Sequence, residues 1–250
     1  MFYTRIPCPK WVDHDPTYLN LSTKYFPVIG WLVGTISWLV FSLCNLVFSI
    51  EISILFSMVS SIIITGAFHE DGFADTCDGF GGGWTKTKIL TIMKDSQIGT
   101  FGAVGILLLL GLKFLSIKAS VDNPIGIINF ALLIIVVHSL SRLVAAITVY
   151  THEYVREDNT SKSKPVAKKM TLLNFLIMIS LGLFPLLILC LYNQTPDFIL
   201  IILPTYFTKV FMQRFFTKWI DGYTGDCLGA IQQVSEVVIY LTFIILWKYI

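Results

Sequence analysis

The sequence predicts an all-α fold: a polytopic integral membrane bundle of about seven helices. Three observations carry that prediction. The 250 residues are 55% hydrophobic and only 14% charged, against about 25% charged in soluble domains. Mean hydropathy is +0.74. The apolar residues gather in long runs separated by compact polar segments. A chain this apolar has more greasy surface than one soluble core of this length can hide. An ordinary soluble enzyme and a disordered chain are therefore excluded. The net charge of +2 also excludes the broad basic face of a nucleic-acid binder.

A spanning helix needs roughly 20 predominantly apolar residues. Runs of this kind occupy 26–49, 52–68, 101–119, 124–150, 172–192, 198–212 and 234–250, the second and sixth being short. Pro185 falls inside the fifth, which a bundle tolerates where neighbours satisfy the freed backbone groups. The opening MFYTRIPCPKWVDHDP lacks the basic and apolar regions of a signal peptide and reads as an interfacial lead-in. The cysteines, Cys8, Cys44, Cys77, Cys190 and Cys227, are odd in number and have no CxxC spacing, so they read as small apolar packers.

Lysine and arginine set the orientation. With the N-terminus cytoplasmic, thirteen lie on that side: Arg5, Lys10, Lys24, Lys86, Lys88, Lys94, Arg156, Lys162, Lys164, Lys168, Lys169, Arg214 and Lys218. Lys118 and Lys248 lie opposite. This predicts one membrane domain over 1–250, with the polar segments 69–100, 151–171 and 213–232 facing the cytoplasm across the cell membrane.

The stretch 66–102, GAFHEDGFADTCDGFGGGWTKTKILTIMKDSQIGTFG, holds Glu70, Asp71, Asp75, Asp78 and Asp95. On a helix, Asp71, Asp75 and Asp78 fall within about 60° of one another. Three carboxylates on one stripe repel unless a cation sits among them. Hard oxygen ligands favour Mg²⁺ or Mn²⁺, and magnesium commonly bridges carboxylates to substrate phosphates. The bland alternative is a solvated acidic face. Its apolar flanks, Phe68, Phe73, Ala74 and Phe80, and its lack of regular lysine partners favour a metal site that holds a diphosphate. The expected metal ligands are Glu70, Asp71, Asp75 and Asp78. His69 alone reads as an interfacial or satisfied histidine.

Lys113, Arg142 and Lys209 fall within spans, where a charge is costly and usually faces a cavity or a partner. Arg142 shares a helix face with His138. It is either a phosphate clamp or half of a structural pair with an acidic residue. Lys209, Arg214 and Lys218 read as positive-inside anchors. The segment YVREDNTSKSKP (154–165) contributes Arg156 as a candidate anion grip. A third polar island, DGYTGDCLGAIQQVSE (221–236), offers Thr224, Asp226 and Glu236 beside three glycines.

These motifs together resemble the cobalamin synthase family, the adenosylcobinamide-GDP ribazoletransferases. HEDGFADTCDGFGGG followed by IMKDSQIGTFG carries most of the likeness. FYTRIPCP, KYFPVIGWLVG and TGDCLGAIQQVSE match in the same order. The resemblance implies a multi-pass membrane enzyme with magnesium as cofactor. Such an enzyme transfers the adenosylcobinamide-phosphate moiety of adenosylcobinamide-GDP to the ribose hydroxyl of α-ribazole or α-ribazole 5′-phosphate and releases GMP. The reading gives Asp71, Asp75, Asp78 and Asp95 catalytic roles, with Asp78 or Asp95 taking the hydroxyl proton. Lys94, Arg142, Arg156, Thr224 and Asp226 are then expected to bind substrate. The lipid bilayer is a partner, nucleic acid is not, and an oligomer is compatible.

Rival readings are a CDP-alcohol phosphotransferase, a membrane prenyltransferase and a cation transporter. The first expects a DGxxAR start and two downstream aspartates, but Asp75 follows Ala74 where Arg would stand. The second wants two separated aspartate-rich motifs on different spans, which the TGD island matches only in part. The third wants carboxylates near mid-bilayer, whereas these cluster at the cytoplasmic end, and no inverted repeat is visible in the sequence.

Overall fold

The computed structural model describes residues 3–7, 21–122, 126–155 and 171–249. Arg156 and the basic residues that follow it lie outside these. The described chain forms helices α1 (Phe26–Cys44), α2 (Ile50–Thr65), α3 (Phe68–Gly82), α4 (Lys86–Ile92) and α5 (Thr100–Asp122). They are followed by α6 (Gly126–Thr151), α7 (Leu172–Asn193), α8 (Ile202–Ile220) and α9 (Gly225–Tyr249). Short 3₁₀ turns, Thr23–Tyr25 and Asp197–Ile201, lead into α1 and α8. Among the described residues, every apolar run found in the sequence is mostly helical.

Local chemistry sets several ends. Pro27 opens α1, where its missing N–H costs nothing. Thr171 caps α7 by accepting from Asn174 N at 3.3 Å. Six helical segments are long and apolar enough to cross a membrane. The α2–α3 pair, bent by 88°, forms a seventh as a broken or re-entrant span. The reason is length: α2 has 16 residues and reaches only about 24 Å, short of the ~30 Å hydrocarbon core.

Two helices differ from the apolar runs that announce them. The α8 helix continues to Ile220 and α9 begins at Gly225, so only 221–224 separates them. Most of the polar segment 213–232 is thus helix inside the bundle. Hydropathy placed it outside because it is rich in polar residues such as Gln213 and Gln232, whereas both are buried here and Gln232 is bonded to Glu236.

The α6 and α9 helices form the centre, with 78% and 61% of their spans buried against 28–39% for the other single-helix spans. Membrane helices approach closely where small residues meet, and α1 packs on α6 through Gly30 and Gly34. A Cβ at Gly34 would lie 2.9 Å from Ile135 Cα, and one at Gly30 would strike the His138 carbonyl.

Polar contacts sort the bundle into two ends. One gathers Arg5, whose N–H donates to Ile64 O at 2.7 Å, with Lys24 bonded to Asn174 and Lys86 paired with Asp221. The other holds Lys118 with Glu51 and Asp122, and Asn193 with Asn129. The first, called the polar end below, carries α3, α4 and the loops before α5 and α9.

Candidate active site

The chain turns into α3 through two consecutive left-handed residues, Gly66 at φ 70° and Ala67 at φ 59°. Left-handed backbone suits glycine and costs alanine about 1–2 kcal/mol, so Ala67 holds its conformation only because its surroundings impose it. The turn lays α3 against α9 with almost no side chain between. A Cβ on Gly72 would lie 2.9 Å from Asp226 Cα, and one on Gly229 would lie 2.9 Å from His69 O. This crossing brings the acidic motif and the C-terminal island together.

Helical geometry then divides the acidic residues. Each residue turns about 100° from the last, so Glu70 faces away from the stripe of Asp71, Asp75 and Asp78. Glu70 is buried, and its Oε1 accepts from Gln233 Nε2 at 2.8 Å. Asp78 is buried as well and accepts from Gly99 N at 2.7 Å and Gly102 N at 2.8 Å. Both of its oxygens therefore cap the N-terminus of α5 from a neighbouring helix. Asp71 is exposed and Asp75 half-buried, one turn apart on α3. Among the described residues, no three His, Cys, Asp or Glu side chains converge as a ready-made metal cage.

The other expected residues are spread over the polar end. Lys94 and Asp95 are exposed after α4, and Asp95 Oδ1 accepts from Gln97 N at 3.1 Å. Thr224 is the N-cap of α9, accepting from Cys227 N at 3.3 Å and donating to Asp226 Oδ2 at 3.2 Å. Arg156 falls outside the described residues. Lys209 is buried, its Nζ 3.4 Å from Thr151 Oγ1, rather than a surface anchor.

Arg142 is buried in a polar hub that sequence reasoning did not assemble. At its centre is Glu236, which pairs with Lys113, with His138 Nδ1 at 2.8 Å and with Arg142 Nη1 at 3.5 Å. Arg142 Nη1 also donates to His138 O at 3.0 Å. Ser141 and Gln232 bond the same carboxylate. Of the two readings of Arg142, this geometry carries the structural pair. The signal was in the sequence: Lys113, Arg142 and Glu236 each sit where a lone charge is expensive, so they had to meet.

Beside the hub an aromatic cleft opens at the polar end, about 560 Å³ with its open mouth included. Tyr3, Phe26, His69, Tyr154 and Tyr223 line it, with Gly225 and Gly229 of α9. Tyr3 stacks on Phe26 at 4.6 Å, and Tyr154 meets Tyr223 edge-on at 5.6 Å. Backbone bonds fix the second pair, since Val155 N donates to Tyr223 O and Tyr223 N to Glu153 O. Burial lifts the Tyr223 phenol well above its usual range, so it is a neutral ring. His69 is 3% exposed, and neither ring nitrogen has a hydrogen-bond partner. It is thus not the satisfied histidine expected from sequence.

Comparison with known proteins draws these features together. The chain is 45% identical over 244 residues to the adenosylcobinamide-GDP ribazoletransferase of Shewanella frigidimarina, covering 97% of this chain and 91% of that one. It is 42% identical over 251 residues to the protein of that name in Leptospira interrogans, covering 99% and 94%. The Shewanella halifaxensis protein of the same name is 44% identical over 246 residues, with 98% and 92% covered. No solved structure matches. A sequence profile described as cobalamin-5-phosphate synthase matches residues 1–244, and the chain belongs to that family.

Proposed function

We propose that this chain is an adenosylcobinamide-GDP ribazoletransferase. In this reading the adenosylcobinamide phosphate passes from adenosylcobinamide-GDP to the ribose hydroxyl of α-ribazole or α-ribazole 5′-phosphate. The observation that carries it is likeness along nearly the whole chain to relatives of that name, 45% identical over 97% of the residues in one case. The end-of-bundle site supports it, because a charged diphosphate and a nucleotide need a polar, solvent-reached surface rather than the middle of a membrane.

The reaction breaks the P–O bond to GMP and forms one to the acceptor oxygen, whose proton must leave. The residues present fit Mg²⁺, given that it binds through one or two carboxylates and keeps waters and substrate phosphates as its other ligands. Asp71 and Asp75, one turn apart on α3, would hold it. When bound, magnesium neutralises charge on the diphosphate and on the departing GMP. Glu70 and Asp78, also expected as ligands, serve in this reading as supports, since Gln233 and the α5 amides engage them. Asp95 accepts the hydroxyl proton, because the Asp78 oxygens are committed to backbone N–H groups. Lys94 attracts phosphate oxygens at the same surface, and Arg156, outside the described residues, is assigned the same role from the sequence. The lysine and arginine distribution puts this surface on the cytoplasmic side of the cell membrane.

Expression of this chain in a bacterium lacking its own transferase of this type tests the assignment. Growth that depends on cobalamin made from supplied cobinamide should return. Unrestored growth with the protein present in the membrane would contradict it.

A further inference from the structure

We infer that the aromatic cleft lined by Tyr3, Phe26, His69, Tyr154 and Tyr223 binds a flat nitrogen heteroaromatic base, with a ring nitrogen of His69 as its hydrogen-bond partner. The inference rests on the proposed reaction for the two molecules that bring such a base: the guanine of the donor and the base of the ribazole acceptor.

Three observations carry it. The first is the lining. Two aromatic groups frame the cleft, Tyr3 with Phe26 and Tyr154 with Tyr223, and a base offers a π-face to each whatever its identity. The second is His69. A buried imidazole with both nitrogens unbonded is expensive unless a ligand completes it. Phe68 packs edge-on to it at 5.6 Å and Phe26 lies 6.0 Å away, so its ring orientation is fixed before a ligand arrives. A lipid chain would fill the apolar space but leave those nitrogens bare. The third is position. His69 and Gly229 meet at the α3–α9 crossing, where Gly72 meets Asp226. The cleft lies on the side of α3 that meets α9, about 160° around the helix from Asp71, and shares the polar end with the carboxylate stripe.

The test is equilibrium binding of GMP, α-ribazole 5′-phosphate and base-free ribose 5-phosphate to purified protein in nanodiscs, beside turnover of the same samples. His69→Phe keeps the ring and removes the nitrogens, and Tyr223→Leu removes one aromatic face. The expected result is that one base-bearing ligand binds more tightly than ribose 5-phosphate, and that each substitution weakens it about tenfold. Weakening confined to GMP identifies guanine as the occupant, and weakening confined to the ribazole phosphate identifies the acceptor base. Base-bearing ligands that bind no better than ribose 5-phosphate, or that bind both variants like the wild type, overturn the inference even if turnover is intact. Absent turnover with His69-dependent binding overturns the proposed reaction and leaves the cleft assignment standing.

Discussion

Asp75 and Glu236 show how the same carboxylate chemistry serves two ends. Asp75 lies half-buried at the polar end one turn from Asp71, and Glu236 is sealed among Lys113, His138 and Arg142. Asp75→Asn should abolish GMP release and leave expression and thermal stability unchanged; a normal rate in the folded variant would remove Asp75 from the site. Glu236→Ala strands two buried cations and should destabilise by about 3–5 kcal/mol, read as a lowered melting temperature in detergent. The double variant Glu236→Ala/Lys113→Met should lose less than the sum of the two changes, and strict additivity would deny that the two residues form a pair. Residue type and spacing singled out Asp71, Asp75 and Arg142 in the sequence. It did not separate Glu70 and Asp78 from the stripe, because their partners, Gln233 and the Gly99 and Gly102 amides, come from distant parts of the chain. His69 was missed because lacking a partner is a property of the packed structure.

At the scale of helices, Asp78 works as a cap that α3 lends to α5. Asp78→Ala should cost about 0.5–2 kcal/mol, as the loss of a helix cap does, whereas Asp71→Ala should cost almost nothing. Thermal unfolding of the two variants side by side checks this, and equal melting temperatures would contradict it. The crossing of α3 and α9 depends on Gly72, where a Cβ would lie 2.9 Å from Asp226 Cα. Gly72→Leu must therefore part the helices, and it should lower both activity and melting temperature. Spans such as α5, α6 and α7 were legible because long apolar runs have few alternatives in a membrane. The ends of α8 and the start of α9 were not, because polar residues that satisfy one another inside a bundle look like loop residues when read singly.

Taken whole, the bundle gathers the proposed site at one end and its buried charge cluster, Lys113, Arg142 and Glu236, in the middle. The cytoplasmic assignment of that end predicts that a cysteine at Ser96 reacts with an impermeant thiol reagent only in inverted vesicles. One at Asn193 should react only in intact cells, and the reverse pattern would invert the topology. Chelation of divalent metal should stop turnover without lowering the melting temperature, since Asp71 and Asp75 lie at the periphery rather than in the hub. The central claim is that this end joins a diphosphate-activated corrinoid to a ribose hydroxyl. The most direct measurement is GMP release from adenosylcobinamide-GDP by the protein in nanodiscs, with and without α-ribazole 5′-phosphate and Mg²⁺. Release that requires both, in equal amount to the joined product, is the predicted result. Release that is indifferent to the acceptor, or no release from folded protein, would contradict it.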